Sequence, residues 1–493
     1  MSGLLTKPVS GLAETLRRKR PTLGGSYPGD KYVEQLVGHV HGTPGPLAHP
    51  PTGSDLKPVM GEPGLPLLGK TLGFMREGPV LSLDQYRRFG PVSWTSSFGM
   101  KVVMVVGPEA AQAVLVNKDK RFSQNGWEWF IGPFFKRGLM LLDGEDHHLH
   151  RRIMQEAFTR PRLESYLLQL GSIVDEQVPS WPTDVPFELY PAIKDLSLDV
   201  ATAVFMGAAP AERGDAETRA VAQAFVDCVR AGLALVRYPV PGLRWHKGLQ
   251  SRKVLEEYFR SRIPAKRASD DEDLFAALCH IETDEGHSFS DDDIVNHMIF
   301  LMMAAHDTST ITATAVCYFL AKHPEWQERC RAESQAFGDG PIDLPGTEKL
   351  ESLDLVFEEA MRLVTPVPGM ARRAVEDTEI LGHFVPQGTM VTVGSWASHL
   401  LPEIWAAADS FDPSRFDEPR REDKQHRFAA MAFGGGVHKC IGMHFGRGEV
   451  KAMVHRILLH HRIEVPSDYE VRWDMTSLPT PADGLPVVLR PLT

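Results

Sequence analysis

The feature that most restricts the fold is a capped apolar run between residues 290 and 324. Ser290-Asp291-Asp292-Asp293 has the form of a capping box, in which a hydroxyl and an acid three residues later satisfy the first free N–H groups of a helix. A mostly apolar stretch then continues to Lys322, and Pro324 stops it. At 1.5 Å per residue, roughly 30 residues make a rod of about 45 Å. A helix of that length crosses a whole globular molecule, so the other elements have to be arranged around it. Midway it carries Ala304-Ala305-His306-Asp307-Thr308-Ser309. An acid beside an alcohol in an apolar helix is costly unless it is solvated or used. Either Thr308 bonds back to the preceding turn and Asp307 lies on a wet face, or both have a chemical role.

The second constraint is Phe433-Gly434-Gly435-Gly436-Val437-His438-Lys439-Cys440-Ile441-Gly442. Three successive glycines permit a turn that side chains would obstruct. A helical pattern follows from Met443 to Leu459, so the loop presents one sulfur at a helix start. Free N–H groups and the partial positive charge there favour thiolate over thiol. A lone thiolate in such a loop suits nucleophilic chemistry or an axial metal bond; an inert buried cysteine is the plainer alternative. The other cysteines, Cys228, Cys279, Cys317 and Cys330, are widely spaced and form no C-x-x-C, which excludes a disulfide framework or zinc site and fits a reducing cytoplasm.

Lys plus Arg is 53 and Asp plus Glu is 64, a net charge of −11, which argues against a nucleic-acid binder. No apolar run of about 18 residues appears, so no spanning helix is expected. Arg17-Arg18-Lys19-Arg20 follows no apolar stretch, so the start does not read as a signal peptide. Residues 1–57 are rich in Gly, Pro and polar residues and read as an extended leader. Its basic cluster belongs to a solvated tail or to an arm that touches a membrane surface. Residues 58–493 read as one domain, mainly α with a small β region.

A helical pattern spans residues 81–89, and residues 92–97 and 101–106 read as a strand pair with Phe98-Gly99-Met100 at the turn. Residues 125–142 are rich in aromatics: Trp127, Trp129, Phe130, Phe134 and Phe135. His147 and Arg151 are four apart, hence on one helical face. Residues 163–267 are mostly amphipathic helix, broken at Tyr238-Pro239-Val240-Pro241-Gly242; residues 266–273 form a charged link. Glu359 and Arg362 are three apart on another helix, and residues 391–393 read as a strand.

Phe433-x-x-Gly436-x-His438-x-Cys440-x-Gly442 resembles the haem-binding loop of the cytochrome P-450 family, the haem-thiolate monooxygenases. Pro63-Gly64-Leu65-Pro66-Leu67-Leu68-Gly69 resembles the family's proline-rich entry segment, and Ala304–Ser309 its oxygen-side motif, with Ala305 in place of the usual glycine. The resemblance spans residues 58–493 and implies the family's fold, with the long helix over haem b. It implies Cys440 as the iron's thiolate ligand, within a loop that includes Phe433 and Gly442. His147, Arg151, His438 and Arg372 (or its neighbour Arg373) would hold the propionates. Thr308 would hold a water near bound oxygen, Asp307 would relay protons, and Ala305 would narrow the groove. The aromatic segment would line the substrate pocket, and the 238–242 break would form its lid. Glu359 and Arg362 would form a buried ion network with Arg415.

The implied reaction inserts one atom of O₂ into an apolar, lipid-like substrate. No flavin or nicotinamide module is visible, so electrons are expected from a separate ferredoxin-type donor with its reductase, docking near Arg152, Lys439 and Arg447. The expected location is the cytoplasm, with peripheral membrane contact as a further option. The alternatives are a haem-thiolate peroxygenase or isomerase, or a non-enzymatic haem sensor; the Asp307-Thr308 pair argues against the first and the absence of a signalling domain against the second.

Overall fold

The computed structural model describes residues 42–66, 69–208, 215–232, 234, 236–475 and 478–492. The long helix is there, Asp291–Lys322, continuous over 32 residues. Ser290 caps it: its hydroxyl accepts from the Asp293 N–H at 3.2 Å and donates to the Asp293 carboxylate at 2.6 Å. Both sides of this helix are buried over most of its length. It packs on Leu189–Met206, Arg244–Arg267, Glu351–Leu363 and Met443–His460.

Four threonines in its second half, Thr308, Thr310, Thr312 and Thr314, each donate to the carbonyl four residues back at 2.7–2.8 Å. This is how polar side chains are accommodated inside the core: each hydroxyl is satisfied by its own helix.

The other helices follow the sequence pattern closely. The stretch 163–267 resolves into Arg160–Gln177, Leu189–Met206, Ala216–Gly232 and Arg244–Arg267. In the charged link, Lys266 pairs with Asp271 and Asp273 at 2.9 and 2.5 Å. The helix expected at 81–89 begins earlier, at Thr71, and runs through Pro79. Proline removes one backbone donor there, which interrupts the ladder without ending the helix.

The β region includes a seven-stranded sheet, and its strands are numbered here along the chain. Its order is β1 (Gly45–Pro46), β3 (Met60–Glu62), β4 (Val92–Ser97), β5 (Met100–Val105), β11 (Met390–Val393), β8 (Met370–Ala374) and β6 (Phe122–Ser123). β4 and β5 are the expected hairpin, with Phe98 at φ 51° and Gly99 at φ 75° in its turn. β8 pairs antiparallel with β11, placing Arg372 opposite Val391 and Arg373 opposite Met390. Because successive side chains alternate faces, Arg372 is buried while Arg373 turns outward and donates to the Gly388 carbonyl.

The end of the expected leader takes part in this region. β1 pairs with β3, the Trp94 indole donates to the Gly45 carbonyl at 2.8 Å, and the leader boundary at 57/58 falls inside β2 (Lys57–Pro58). The basic cluster Arg17-Arg18-Lys19-Arg20 lies outside the described residues. No helix among the described residues is long and apolar enough to cross a membrane.

Candidate active site

The glycine-rich loop is shaped by close backbone approach. A Cβ on Gly436, at φ +66°, would lie 1.9 Å from the Leu115 carbonyl oxygen, and one on Gly435 would strike the Phe428 ring. Glycine is therefore a steric requirement here. The Cys440 N–H donates to the Phe433 carbonyl at 2.9 Å, closing the loop just before the helix Met443–His460. Of the five cysteines, Cys440 is exposed, while Cys228, Cys317 and Cys330 are buried.

Protein still surrounds the Cys440 sulfur on most sides, and this burial pushes its thiol pKa up. The Gly442 N–H, Arg151 and Lys439 pull the other way without prevailing. The N–H at the helix start does favour thiolate, as expected, but in the protein alone desolvation of the charged form is the larger effect. A cation bonded to the sulfur would reverse that balance.

Around this sulfur the fold gathers groups suited to an anion. His147 and His438 lie against each other with ring centroids 3.8 Å apart and planes tilted by 39°, and His147 Nε2 is buried without a hydrogen-bond partner. Burial, followed by the nearby positive charges, lowers His147 to about 3. Arg151, four residues on, is close enough to Cys440 for each charge to favour the other. Arg372 is buried, donates to the Ala371 carbonyl at 2.8 Å, and is lowered to about 10 by desolvation. Among the described residues neither arginine forms an ion pair. Two desolvated guanidiniums without acids are costly unless a further anion completes the site. Asp143, the acid nearest this group, lies 3.7 Å from His438 and accepts from the Gln124 N–H at 2.7 Å.

On the long helix, Thr308 Oγ1 donates to the Ala304 carbonyl at 2.7 Å, which is the back-bonded arrangement. Asp307 does not face open water: its Oδ1 lies 3.4 Å from both Lys194 Nζ and His306 Nδ1. The helix is α-helical through Ala305. Ala304, Ala305, Phe433 and Ile441 are partly buried and pack against the same core.

Comparisons with known proteins identify the family. A family profile described as Cytochrome P450 matches residues 59–484. A chain of Mycobacterium tuberculosis named as cytochrome P450 136 is 49% identical over 487 residues, covering 98% of this chain and 99% of that one. The chain belongs to the cytochrome P450 family. The taxane 10-beta-hydroxylase of Taxus cuspidata is 26% identical, with 89% and 90% covered. A solved structure titled retinoic acid bound cyanobacterial CYP120A1 superposes with TM-score 0.80 at 25% identity, covering 88% of this chain and 98% of that one. The protein is accordingly a monooxygenase whose cofactor is haem b, bound in this family through a cysteine thiolate. The unpaired arginines and the orphaned His147 nitrogen fit such a dianionic group.

The P450 also buries the ion network. Glu359, Arg362 and Arg415 are almost fully buried. Arg362 bonds Glu359 through Nε and Nη2 at 2.6 and 2.8 Å, and Arg415 Nε reaches Glu359 Oε1 at 3.0 Å. Arg415 also bonds Glu422 at 2.9 Å, and Arg362 bonds the carbonyls of His399 and Ala408.

Three residues of the site escaped the sequence reading. His399 bridges the network to the cysteine loop: Nε2 accepts from the Met431 N–H at 2.9 Å, which leaves Nδ1 to donate to Thr365. Glu449 is fully buried, accepts from Ser197 at 3.1 Å, and is raised to about 7 by desolvation. A charged residue inside the apolar pattern of Met443–His460 was its available signal. Arg237 is sandwiched between Trp129 and Trp245, 3.9 and 4.3 Å from their centroids, and donates to the carbonyls of Gly232, Trp129 and Phe130.

Arg237 thereby ties the break between two helices to Asn125–Ile131. Arg237→Ala should release that tie, losing about 1–2 kcal/mol of local stability from the cation–π contacts. Limited proteolysis within residues 236–243 should then be roughly tenfold faster, by the usual relation of local opening to cleavage. An unchanged rate would show that the sandwich does not restrain the loop.

Proposed function

We propose that Cys440 ligates the haem iron, with Arg151, Arg372, His147 and His438 holding the propionates, in an enzyme that oxygenates a large apolar substrate. The observation that carries this reading is the meeting of an exposed sulfur with the half-buried Arg151 and the buried Arg372, neither of which has an ion-pair partner among the described residues. The bound haem supplies oxygen activation, and a thiolate ligand favours O–O cleavage. Phe433 and Gly442 shape the sulfur's surroundings, the latter through its N–H.

With the cofactor bound, Thr308 Oγ1 would exchange the Ala304 carbonyl for a water and keep it hydrogen-bonded. Asp307 Oδ1, beside Lys194, passes protons inward from the partly exposed end of that pair. The extra methyl of Ala305 narrows the groove beside them. Aromatic side chains of Asn125–Ile131 exclude water and contact the substrate. The apolar, lipid-like class is supported by two relatives whose names mention a taxane and retinoic acid, both large hydrocarbon frameworks.

Electrons come from a ferredoxin-type donor with its reductase, in the cytoplasm. Lys439 is exposed beside the cysteine loop, and Arg152 is exposed though it pairs with Glu285 at 3.3 Å. Arg447 does not serve this purpose: it is engaged by Asp354 and Glu358. Reduction by an acidic donor should slow steeply with salt; a salt-independent rate would remove it.

Reconstitution with a ferredoxin and its reductase tests the reading. The wild type should show a substrate-induced spin shift and couple NADPH use to product. Thr308→Ala should keep the haem spectrum, lose most of that coupling and release peroxide. Equal coupling in the variant would take Thr308 out of the proton path. Turnover with peroxide but none with O₂ and electrons would replace the reading with a peroxygenase.

A further inference from the structure

We infer that Arg237 anchors a carboxylate at one end of the substrate, which makes that substrate an apolar carboxylic acid in place of a neutral hydrocarbon. The inference rests on the reading that Asn125–Ile131 contacts the substrate, and it supplies the polar group that this aromatic segment lacks.

The first observation is a cation without an acid. Arg237 is half-buried, and among the described residues no carboxylate pairs with it. Residues 228–255, on its own side, contain no Asp or Glu, and neither do residues 129–142, against which it packs. Burial alone lowers its pKa, to about 10. Buried arginines elsewhere have acids: Arg252 has Glu256, Arg331 has Glu328, Arg456 has Asp175, and Arg362 and Arg415 share Glu359. Arg151 and Arg372 are the exceptions, and the two propionates answer them. Arg237 is a third guanidinium of this kind, and a dianionic cofactor has no carboxylate left for it. Desolvating such a group is costly until an anion completes the site.

The second is the shape of the opening. The guanidinium lies between the indoles of Trp129 and Trp245, so a ligand reaches it along its edge. Trp245 is itself fixed edge-on against the buried Phe134, with centroids 4.9 Å apart. Along the edge, Nη1 donates to the Gly232 carbonyl at 3.2 Å, and Nη2 donates to the Trp129 and Phe130 carbonyls. Arginine has five N–H donors. The Nε–H and one Nη1 N–H therefore have no acceptor among the described residues. Three carbonyls and two indoles hold the plane still, and the donors that remain lie in that plane, where a carboxylate is best received.

The third is the wall that leads away from it. Trp129 meets Phe130 and Phe98 with centroids 4.8 and 5.8 Å apart, and Phe130 meets Trp127 at 6.3 Å. With Met100 these rings pack on Val102, Ala371 and Met390. Ala371 precedes Arg372, and a Cβ on Gly126 would come within 2.4 Å of the Arg372 backbone. The helix Asn125–Ile131 thus has Arg372 at its first turn and Arg237 at its last. Seven residues make it about 10 Å long. A hydrocarbon body lying along these rings, with its carboxylate on Arg237, would reach the arginine assigned to a propionate, and hence the edge of the cofactor.

The test uses the full-length haem-loaded protein and three probes: dodecanoic acid, its methyl ester and 1-dodecanol. Binding is measured by equilibrium dialysis and, separately, by the ligand-induced spin shift. At neutral pH the acid is ionised. The wild type should then bind it at least about tenfold more tightly than the ester or the alcohol, as one charge-assisted hydrogen bond contributes. Arg237→Gln should erase that difference. Arg237→Lys, which keeps the charge and loses the stacked plane, should retain part of it. No binding of the acid, or equal binding of acid and ester by the wild type, overturns the inference. So does equal weakening of all three probes by Arg237→Gln, which would confine Arg237 to holding the loop, and so does a preference for the acid that survives in that variant. Arg237-dependent binding of the acid in dialysis without a spin shift would support the anchor and count against the placement of the substrate beside the haem.

Discussion

Replacing Cys440 by serine is expected to abolish the carbonyl absorbance characteristic of a thiolate-ligated reduced haem, together with measurable O₂-dependent turnover. The reason lies in the charge balance around the sulfur. Burial holds the free thiol protonated above its ordinary range, with Arg151, Lys439 and the Gly442 N–H opposing. Iron must displace that proton, so haem loading should release a proton and strengthen as pH rises toward the thiol's raised value, by up to tenfold per unit. Serine holds its proton far more tightly and offers a harder donor. The variant should therefore lose the pH dependence as well as the spectrum. Haem titration across neutral pH, monitored by absorbance, measures both. A variant that keeps the thiolate-type carbonyl band would move the ligand to another residue.

Much of the fold was legible because its signals are local. The capped run at 290–322, the hairpin around Phe98-Gly99, and the glycine turn before Cys440 depend on neighbours in sequence, and each stands close to where the pattern predicts. The helix over Thr71–Phe89 was read too short because it runs through Pro79, and an internal proline removes one hydrogen bond without having to end a helix. The end of the leader was read as unstructured because β1 and β2 are two residues each, below the length at which alternation can be seen.

The site was legible in its chemistry and less so in its couplings. The spacing from His147 to Arg151 marks one helical face, and strand alternation then distinguishes Arg372 from Arg373. Whether Thr308 is free or back-bonded cannot be decided from the residues, because both geometries suit the same sequence; the structure shows the hydroxyl spent on Ala304. His399 and Arg237 act through partners 32 and 108 residues away, and no periodicity carries such contacts. Arg447 looked like a surface cation by its place near the loop, yet its acids lie on Glu351–Leu363, a helix about 90 residues earlier by their separations.

The second large effect is expected at Glu359. Its carboxylate holds two buried guanidiniums and the Asp412 N–H, the latter at 2.9 Å. Glu359→Gln keeps the shape and removes the charge, leaving Arg362 and Arg415 facing each other, with Glu422 as the remaining acid on Arg415. Breaking a buried pair in this way costs about 3–5 kcal/mol, mostly from the stranded charge. The damage should also travel. Arg362 donates to the His399 carbonyl, His399 accepts from Met431, and Met431 leads directly into the loop that ends at Cys440. Loss of stability and loss of haem should therefore appear together. A urea titration gives the first, and the ratio of haem to protein absorbance gives the second. Charge reversal at Arg160–Glu164, an exposed pair of similar spacing, serves as the control and should cost less than about 1 kcal/mol. Haem retention at the wild-type level in a destabilised Glu359→Gln would confine the network to holding the fold and separate it from the cysteine loop.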